Sequence, residues 1–283
     1  MTTKTEIESL IYLLEDPDPE VQVGVKRRFE ELGENAVPLL DQFKNESVHD
    51  SEKETINEII YNITIGSILE EFSFIIEEGV NNSRTLEKSI FLLSKIGNPT
   101  IRIEDYQKKL DKISQEISTD IAYTPSVQEK MQILLQYVFR ELRFRGDSSD
   151  YHNTQNAFLD RVIERRKGLP IMLSLIIVFL GRRLNLPFYG VNMPIHFMLL
   201  YETPDRDMLL DPFDGGKIVT YDQCYYFLKK NGIKPRPEHL KKADELETLA
   251  RCIRNLIHSY SKINQTRKVS DLRDLLQLVE LKG

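Results

Sequence analysis

Apolar residues recur every three to four positions along the first 118 residues, and this spacing predicts helices throughout the region. The stripe that begins at Ile7 stops at the turn formed by residues 16–19. The next stripe stops at Gly33, and glycine is the residue favoured just beyond a helix C-terminus. Further helices are predicted over 36–43, 56–76, 86–93 and 101–117.

The pattern between residues 119 and 236 mixes helices with short strands. The run from Pro170 to Leu184 is apolar on every side, which predicts a central buried helix. From residue 188 the apolar period changes to two, which predicts strands. The helices before the change are predicted over 126–142 and 156–165, with a turn over 144–147; the strands are predicted over 188–191, 196–201 and 208–212, with a turn over 214–216.

The fold class that follows is α+β, divided into three parts. Residues 1–118 form a helical region, and its first helix pair resembles a HEAT repeat, which must stack on other helices to bury its apolar face. Residues 119–236 form a mixed core, which includes a predicted helix over 221–230. Residues 237–283 form a helical tail, whose pair of helices weakly resembles a tetratricopeptide hairpin.

Charge is unevenly distributed along the chain, whose net charge is −6. Residues 1–80 carry 6 Lys or Arg against 19 Asp or Glu, whereas residues 81–283 carry 32 against 25. We interpret this difference as a solvated acidic helical face beside a mildly basic domain. Aromatic residues are not interleaved with the basic ones as single-strand nucleic-acid binders require, so no nucleic-acid partner is expected.

The two cysteines, Cys224 and Cys252, are too few for a disulfide framework and lack metal-ligand spacing. A reducing, cytoplasmic compartment is therefore expected, with no metal and no cofactor. The N-terminal residues show no leader pattern. The most apolar run, 171–180, is shorter than the roughly 20 residues of a spanning helix, so no membrane segment is expected.

Three positions follow the order of a cysteine-protease type of triad. Gly168 precedes the start of the apolar helix by two residues, His196 follows that helix, and Asp211 comes later still. A thiol at a helix N-terminus is acidified by the helix dipole and by a nearby His, which a third polar group orients. The position of the thiol is occupied by Pro170, which has neither a side-chain proton nor a lone pair for attack.

Several motifs resemble the SirB-type transglutaminase-like proteins of bacteria. The strongest likeness lies within 144–216, and a weaker likeness covers most of the chain. The motifs are Phe-Arg-Gly-Asp (144–147), the segment 153–163, Arg-Arg-Lys-Gly-Leu-Pro-Ile-Met-Leu-Ser (165–174), the segment 180–187, Gly-Val-Asn-Met-Pro-Ile-His-Phe (190–197) and Leu-Leu-Asp-Pro-Phe-Asp-Gly-Gly (209–216).

This resemblance implies a papain-like core for residues 119–236, with a Cys-His-Asp triad. Gly168 matches the helix start of that superfamily, and His196 and Asp211 match its His and Asp. Pro170 falls on the Cys, which makes the implied triad degenerate.

Other groups remain as candidates. Ser174 lies one turn after Pro170 on the same helix face, but about 6 Å deeper from the rise of the helix, and we expect its hydroxyl to bond the Pro170 carbonyl. Arg165, Arg166 and Lys167 are candidate binding residues, in a basic cluster that includes Arg161, Arg182 and Arg183; the alternative is a solvated helix face. His152 is a candidate ligand in a polar loop, where an exposed His is the alternative.

The expected function is that of a non-catalytic protein-interaction or regulatory protein on a degenerate core. It predicts that a groove is formed near His196 and Asp211 but catalyses no reaction, and that the partner is a protein. The alternative is a hydrolase or acyltransferase that uses Ser174 or a water activated by His196.

Overall fold

The computed structural model describes residues 4–281, and these divide into two compact units. One unit contains the residues up to 77 together with 92–102, and the other contains 78–91 together with the residues from 103 onward. The predicted lack of a leader pattern concerns N-terminal residues that include 1–3, and these three lie outside the described part. The three-part division of the chain stays a prediction.

The first unit is helical, as its apolar periodicity predicted. Asp18 caps its second helix by accepting from the Glu20 backbone N–H, and Gly33 ends that helix with a φ of 61°. The core is centred on Phe29, Leu40 and Ile56, all fully buried. The helices are α1 (Lys4–Tyr12), α2 (Pro19–Leu32), α3 (Val37–Glu46) and α4 (Asp50–Glu78).

By length and composition, α4 is able to cross a membrane. Half of its 18-residue apolar window is buried inside the structure. Ile56, Ile59 and Ile60 are among the residues that this helix contributes to the core of the first unit. A core helix of a water-soluble domain passes the same test, so this finding is weak support for a membrane span.

The second unit contains the remaining helices. Near its centre lies α9, in which every residue from Pro170 to Gly181 is buried. Proline suits the first helical position because its missing N–H has no intrahelical partner there. The helices are α5 (Ser83–Ser94, whose last three residues belong to the first unit), α6 (Ile103–Tyr123), α7 (Val127–Gln136), α8 (Leu159–Arg165), α9 (Pro170–Arg183), α10 (Tyr221–Lys230), α11 (Glu245–Lys262) and α12 (Thr266–Glu280).

The strands of this unit form two small sheets, which together with the helices confirm the α+β class. A parallel pair places Gly146 opposite Gly168, and the larger sheet is antiparallel in chain order. In the larger sheet Leu199 pairs with Leu210. The strands are β1 (Arg145–Gly146), β2 (Lys167–Gly168), β3 (Phe188–Val191), β4 (Met198–Tyr201), β5 (Met208–Asp211) and β6 (Lys217–Val219).

Several predicted boundaries were wrong. The helix expected over 126–142 is present, but it changes after Gln136 from an α-helix to a π-helical turn, Tyr137–Glu141. The helix expected over 156–165 is preceded by a 3-10 turn and begins at Leu159. The predicted turn over 144–147 contains β1, and β2 and β6 were not predicted at all, because strands of two or three residues are too short to show a period.

Candidate functional site

His196 and Asp211 meet at one end of the antiparallel sheet. The Nε2 atom of His196 lies 2.9 Å from Oδ1 of Asp211. Asp211 is the last residue of β5, as the sequence predicted, but His196 lies in a bend two residues before β4 rather than on the strand. The antiparallel pairing of β4 with β5 brings the entrance of one strand beside the exit of the other, and this joins the two side chains.

The Asp211 carboxylate is held by more than the imidazole. Its Oδ1 atom also accepts the backbone N–H groups of Phe213, at 2.9 Å, and Asp214, at 3.3 Å. Burial acts to raise the pKa of Asp211, but the His196 hydrogen bond and charge and the two backbone donors outweigh it, so the pKa is lowered. The carboxylate is therefore ionised at neutral pH.

This ionisation determines which nitrogen of His196 carries a proton. A carboxylate accepts hydrogen bonds and cannot donate them, so Nε2 is the donor toward Asp211. In the neutral ring Nδ1 is then an acceptor, and it has no hydrogen-bond partner among residues 4–281. Because the His196 side chain is 19% exposed, its ring remains open to a ligand from solvent.

Apolar side chains surround the imidazole ring. The rings of Phe213 and Phe227 have centroids 6.3 Å and 5.9 Å from the His196 ring. The preceding residue, Ile195, is 50% exposed and has a φ of 60°. A β-branched residue in the left-handed region is strained, and such strain occurs preferentially at binding sites and active sites.

Phe213 connects this dyad with the entrance to α9. A Cβ atom at Gly146 would lie 2.4 Å from the Phe213 ring, so the ring packs directly on the glycine backbone. Gly146 pairs with Gly168, which lies two residues before Pro170. The start of α9 is thus joined to the His196 ring through one strand pair and one aromatic side chain.

Ser174 and the two cysteines are all buried. The Ser174 side chain is fully buried, and its hydroxyl bonds to no described residue, so the expected bond to the Pro170 carbonyl is absent. Cys224 and Cys252 are 4% and 0% exposed. Burial raises the pKa of both thiols, and the charge of Asp211 raises that of Cys224 further. A buried, protonated thiol is a poor nucleophile.

Arg165, a predicted binding residue, is engaged within the protein. Its guanidinium donates to Asn156 at 2.9 Å and to the buried Asp147 at 3.2 Å. Burial acts to raise the pKa of Asp147, but the Ser149 hydroxyl and then the charge of Lys167 contribute most to lowering it. Arg165 therefore holds the loop before α8 in place.

Arg166 and Lys167 continue this internal role. Arg166 adopts the left-handed conformation that ends α8, and its guanidinium lies 4.5 Å from the centroid of the Phe144 ring. Burial is the main cause of its lowered pKa. Lys167 is half-buried and pairs with Arg145 across the short parallel sheet.

Arg182 and Arg183, at the far end of α9, bind a different partner. Both guanidiniums donate to Glu87, which is 1% exposed, at distances from 2.6 to 3.0 Å. Arg183 also donates to Asp111 at 2.6 Å. The members of the predicted basic cluster therefore contact separate partners: Arg165 binds Asp147, Arg166 packs on Phe144, and Arg182 and Arg183 bind Glu87.

His152, the remaining predicted binding residue, is exposed in its loop. Its ring makes an edge contact with Tyr151 and lies 5.1 Å from the ring of His258. Tyr151 in turn contacts Phe213 at a centroid distance of 5.9 Å. A row of rings thus leads from His152 through Tyr151 to Phe213, and Phe213 in turn contacts His196.

The described residues form at least four cavities, and these were compared with the groove predicted at the dyad. None of these four, which measure about 370, 480, 550 and 430 Å³, is lined by His196 or Asp211. The side chains of His196 and Asp211 are 19% and 23% exposed, and aromatic rings lie beside His196. Within residues 4–281, no group of three or more His, Cys, Asp or Glu residues is arranged to hold a metal ion.

The sequence profile of the transglutaminase-like superfamily matches residues 104–254, a segment that contains α9, the larger sheet and the dyad. The chain belongs to the transglutaminase-like superfamily.

Relatives of this transglutaminase-like chain occur in bacteria and animals. UPF0162 proteins of Vibrio cholerae and Pseudomonas aeruginosa are 27% and 32% identical over 169 and 176 residues, which are 59% and 62% of this chain. The matched region covers 63% of each of these bacterial proteins, less than two thirds of their length. Human F-box only protein 21 is 28% identical over 60% of this chain and 32% of its own. No solved structure matches significantly.

Sequence reasoning missed the side chains that surround the dyad in this transglutaminase-like core. Phe213 was visible within the segment 209–216, two residues after Asp211, where an Asx turn was foreseeable. Phe227 comes from α10, and no local pattern indicates which face of that helix meets His196. The strained φ of Ile195 also left no sequence signal.

Proposed function

We propose that this chain is a non-catalytic protein-interaction or regulatory protein, built on a degenerate SirB-type transglutaminase-like core. One observation carries the proposal. His196 and Asp211 are joined at 2.9 Å, while the start of α9 carries the buried Pro170 in place of a nucleophile. The two groups that would assist a thiol thus have no thiol to activate.

The surface at the dyad supports binding. The Nδ1 atom of His196 offers one hydrogen-bond acceptor, and Phe213, Phe227 and Ile195 provide apolar contact area around it. Rigid aromatic side chains beside a polar group are typical of the residues that dominate protein interfaces. A protein segment that places an apolar side chain against Phe227 and donates a hydrogen bond to Nδ1 fits this arrangement.

The flanking helices also favour a protein partner. Stacked helix pairs present extended surfaces for protein binding, and HEAT-like helices before the core and a tetratricopeptide-like hairpin after it would add such surfaces. We place the chain in the cytoplasm and propose that its partner is a protein.

Affinity capture from the native host tests this function. We expect the wild type to retain a specific protein, and His196→Ala and Phe227→Ala to lose it. Tyr226→Ala is the matched control, because Tyr226 lies on the same helix and is 70% exposed. Retention of the same protein by all three variants would contradict the proposed surface.

A hydrolase that uses a water activated by His196 is the second candidate. The Nδ1 acceptor of a partly exposed imidazole, backed by an ionised Asp211, is the arrangement that a general base requires. Screening against amide, ester and acyl-donor substrates separates the two functions. We expect equal background rates for the wild type and His196→Ala; turnover that is lost in the variant would establish the hydrolase instead.

A further inference from the structure

A cavity of about 370 Å³ lies in the second unit, where the start of α5, the C-terminal half of α9, β3 and the start of α11 meet. Its volume is within the range of small-molecule sites. Leu86, Leu175, Val178 and Phe188 provide its apolar walls. The residues around it include neither His196 nor Asp211, so it is separate from the dyad.

Arg182 provides the cavity with a cation that is incompletely paired. Its Nη2 atom donates to Glu87 at 2.7 Å, but its Nη1 atom is buried and bonds to no described residue. Burial is the main cause of the lowered pKa of this guanidinium. A buried donor without an acceptor is costly, and an anionic acceptor is its strongest partner.

Glu245 provides the opposite charge. It is the first residue of α11, it is half-buried and it lines the same cavity. Its carboxylate makes no hydrogen bond or ion pair with any residue in the described range 4–281. The cavity therefore combines one cationic donor, one anionic acceptor and an apolar wall.

We propose that this cavity binds a small zwitterion with an apolar side group, of the α-amino acid class. The ligand carboxylate bonds the Arg182 guanidinium, and the ligand ammonium pairs with Glu245. The apolar side group packs against Leu175 and Val178. A simple carboxylic acid would leave Glu245 unpaired and a simple amine would leave Arg182 unpaired, so the cavity favours a molecule that carries both charges.

Titration calorimetry on the full chain tests this site. The probes are L-leucine, L-methionine and L-phenylalanine, each compared with its N-acetyl derivative and with the amine that lacks the carboxylate. We expect at least one amino acid to bind with 1:1 stoichiometry, and both of its analogues to bind at least about tenfold more weakly. No binding of any of the three at millimolar concentration would overturn the proposal, as would equal binding of an amino acid and its N-acetyl derivative.

Variants locate the binding in this cavity. Glu245→Gln should weaken the binding of the amino acid about tenfold and leave the binding of its N-acetyl derivative unchanged. Val178→Phe should abolish binding by filling the cavity, with thermal melting to verify that the variant is folded. Glu238→Gln is the matched control, since Glu238 is exposed and does not line the cavity. Binding that all three variants retain would place the ligand elsewhere and overturn the site.

Discussion

Two carboxylates of the second unit, Glu87 and Asp211, are both held by cationic or hydrogen-bonding partners, yet their surroundings differ. Glu87 is 1% exposed and accepts from two guanidiniums. The Asp211 side chain is 23% exposed and accepts from an imidazole and two backbone N–H groups. The first arrangement buries the carboxylate among its two arginines, whereas the second leaves one ring nitrogen of His196 open to solvent.

Removal of the Glu87 charge should give the largest loss of stability. Glu87→Gln leaves two arginines beside a neutral side chain, and breaking a buried pair costs about 3 kcal/mol of unfolding free energy. Urea denaturation measures this loss. The matched control is Glu202→Gln, because Glu202 pairs with Lys242 on an exposed surface. This substitution should lower the unfolding free energy by at most about 1 kcal/mol. Equal losses in the two variants would remove the contrast between Glu87 and an ordinary surface pair.

Introduction of a thiol at the start of α9 tests the surroundings of His196 and Asp211. In Pro170→Cys, the helix N-terminus and His196 should lower the thiol pKa and raise the alkylation rate at pH 6 about tenfold over the double variant Pro170→Cys/His196→Ala. Iodoacetamide labelling followed by mass spectrometry measures this rate. The wild type, whose cysteines are both buried, gives the background. Identical rates in the single and double variants would show that the dyad is not the remnant of a triad.

The smallest expected effect is the pH dependence of the stability that Asp211 contributes. The folded pKa of Asp211 is lowered, so its stabilisation is fully present above the unfolded pKa of about 3.9 and is lost as the pH falls through the lower, folded value. Asp211→Ala should cost about 1 kcal/mol at neutral pH, and the difference from wild type should shrink below about pH 4.

Urea denaturation between pH 2.5 and 7 measures this trend. The control is Asp214→Ala, because the Asp214 side chain is 68% exposed. Its difference from wild type in unfolding free energy should be small and nearly constant over this pH range. A difference between Asp211→Ala and wild type that grows toward low pH would contradict the assigned direction.

Much of the helical framework was predictable because helices are local. The apolar stripe, the Asp18 cap and the Gly33 stop each act on residues only a few positions away, so local sequence determines α2. The run from Pro170 onward predicted a buried helix for the same reason. The change from α-helix to a π-helical turn after Gln136 has no such local signal, so the sequence predicted the helix there but not its change of type.

The candidate site was predictable only in part. The order of Gly168, His196 and Asp211 along the chain indicated the dyad, and the hydrogen bond between the two side chains is present. The sequence could not show that Arg165 binds Asp147 or that Arg182 and Arg183 bind Glu87. A charged residue has many possible partners, and which of them it meets depends on how distant elements pack.

The sequence by itself determined that Pro170 cannot act as a nucleophile, since the absence of a side-chain proton is a property of the residue and not of its surroundings. It also determined the helices with a clear apolar period. Only the tertiary structure decided which charges are buried in pairs, that Ser174 is fully buried, and that the rings of Phe213 and Phe227 lie beside His196. These outcomes depend on contacts between residues far apart in the chain, and such contacts exist only once the helices and strands have packed together.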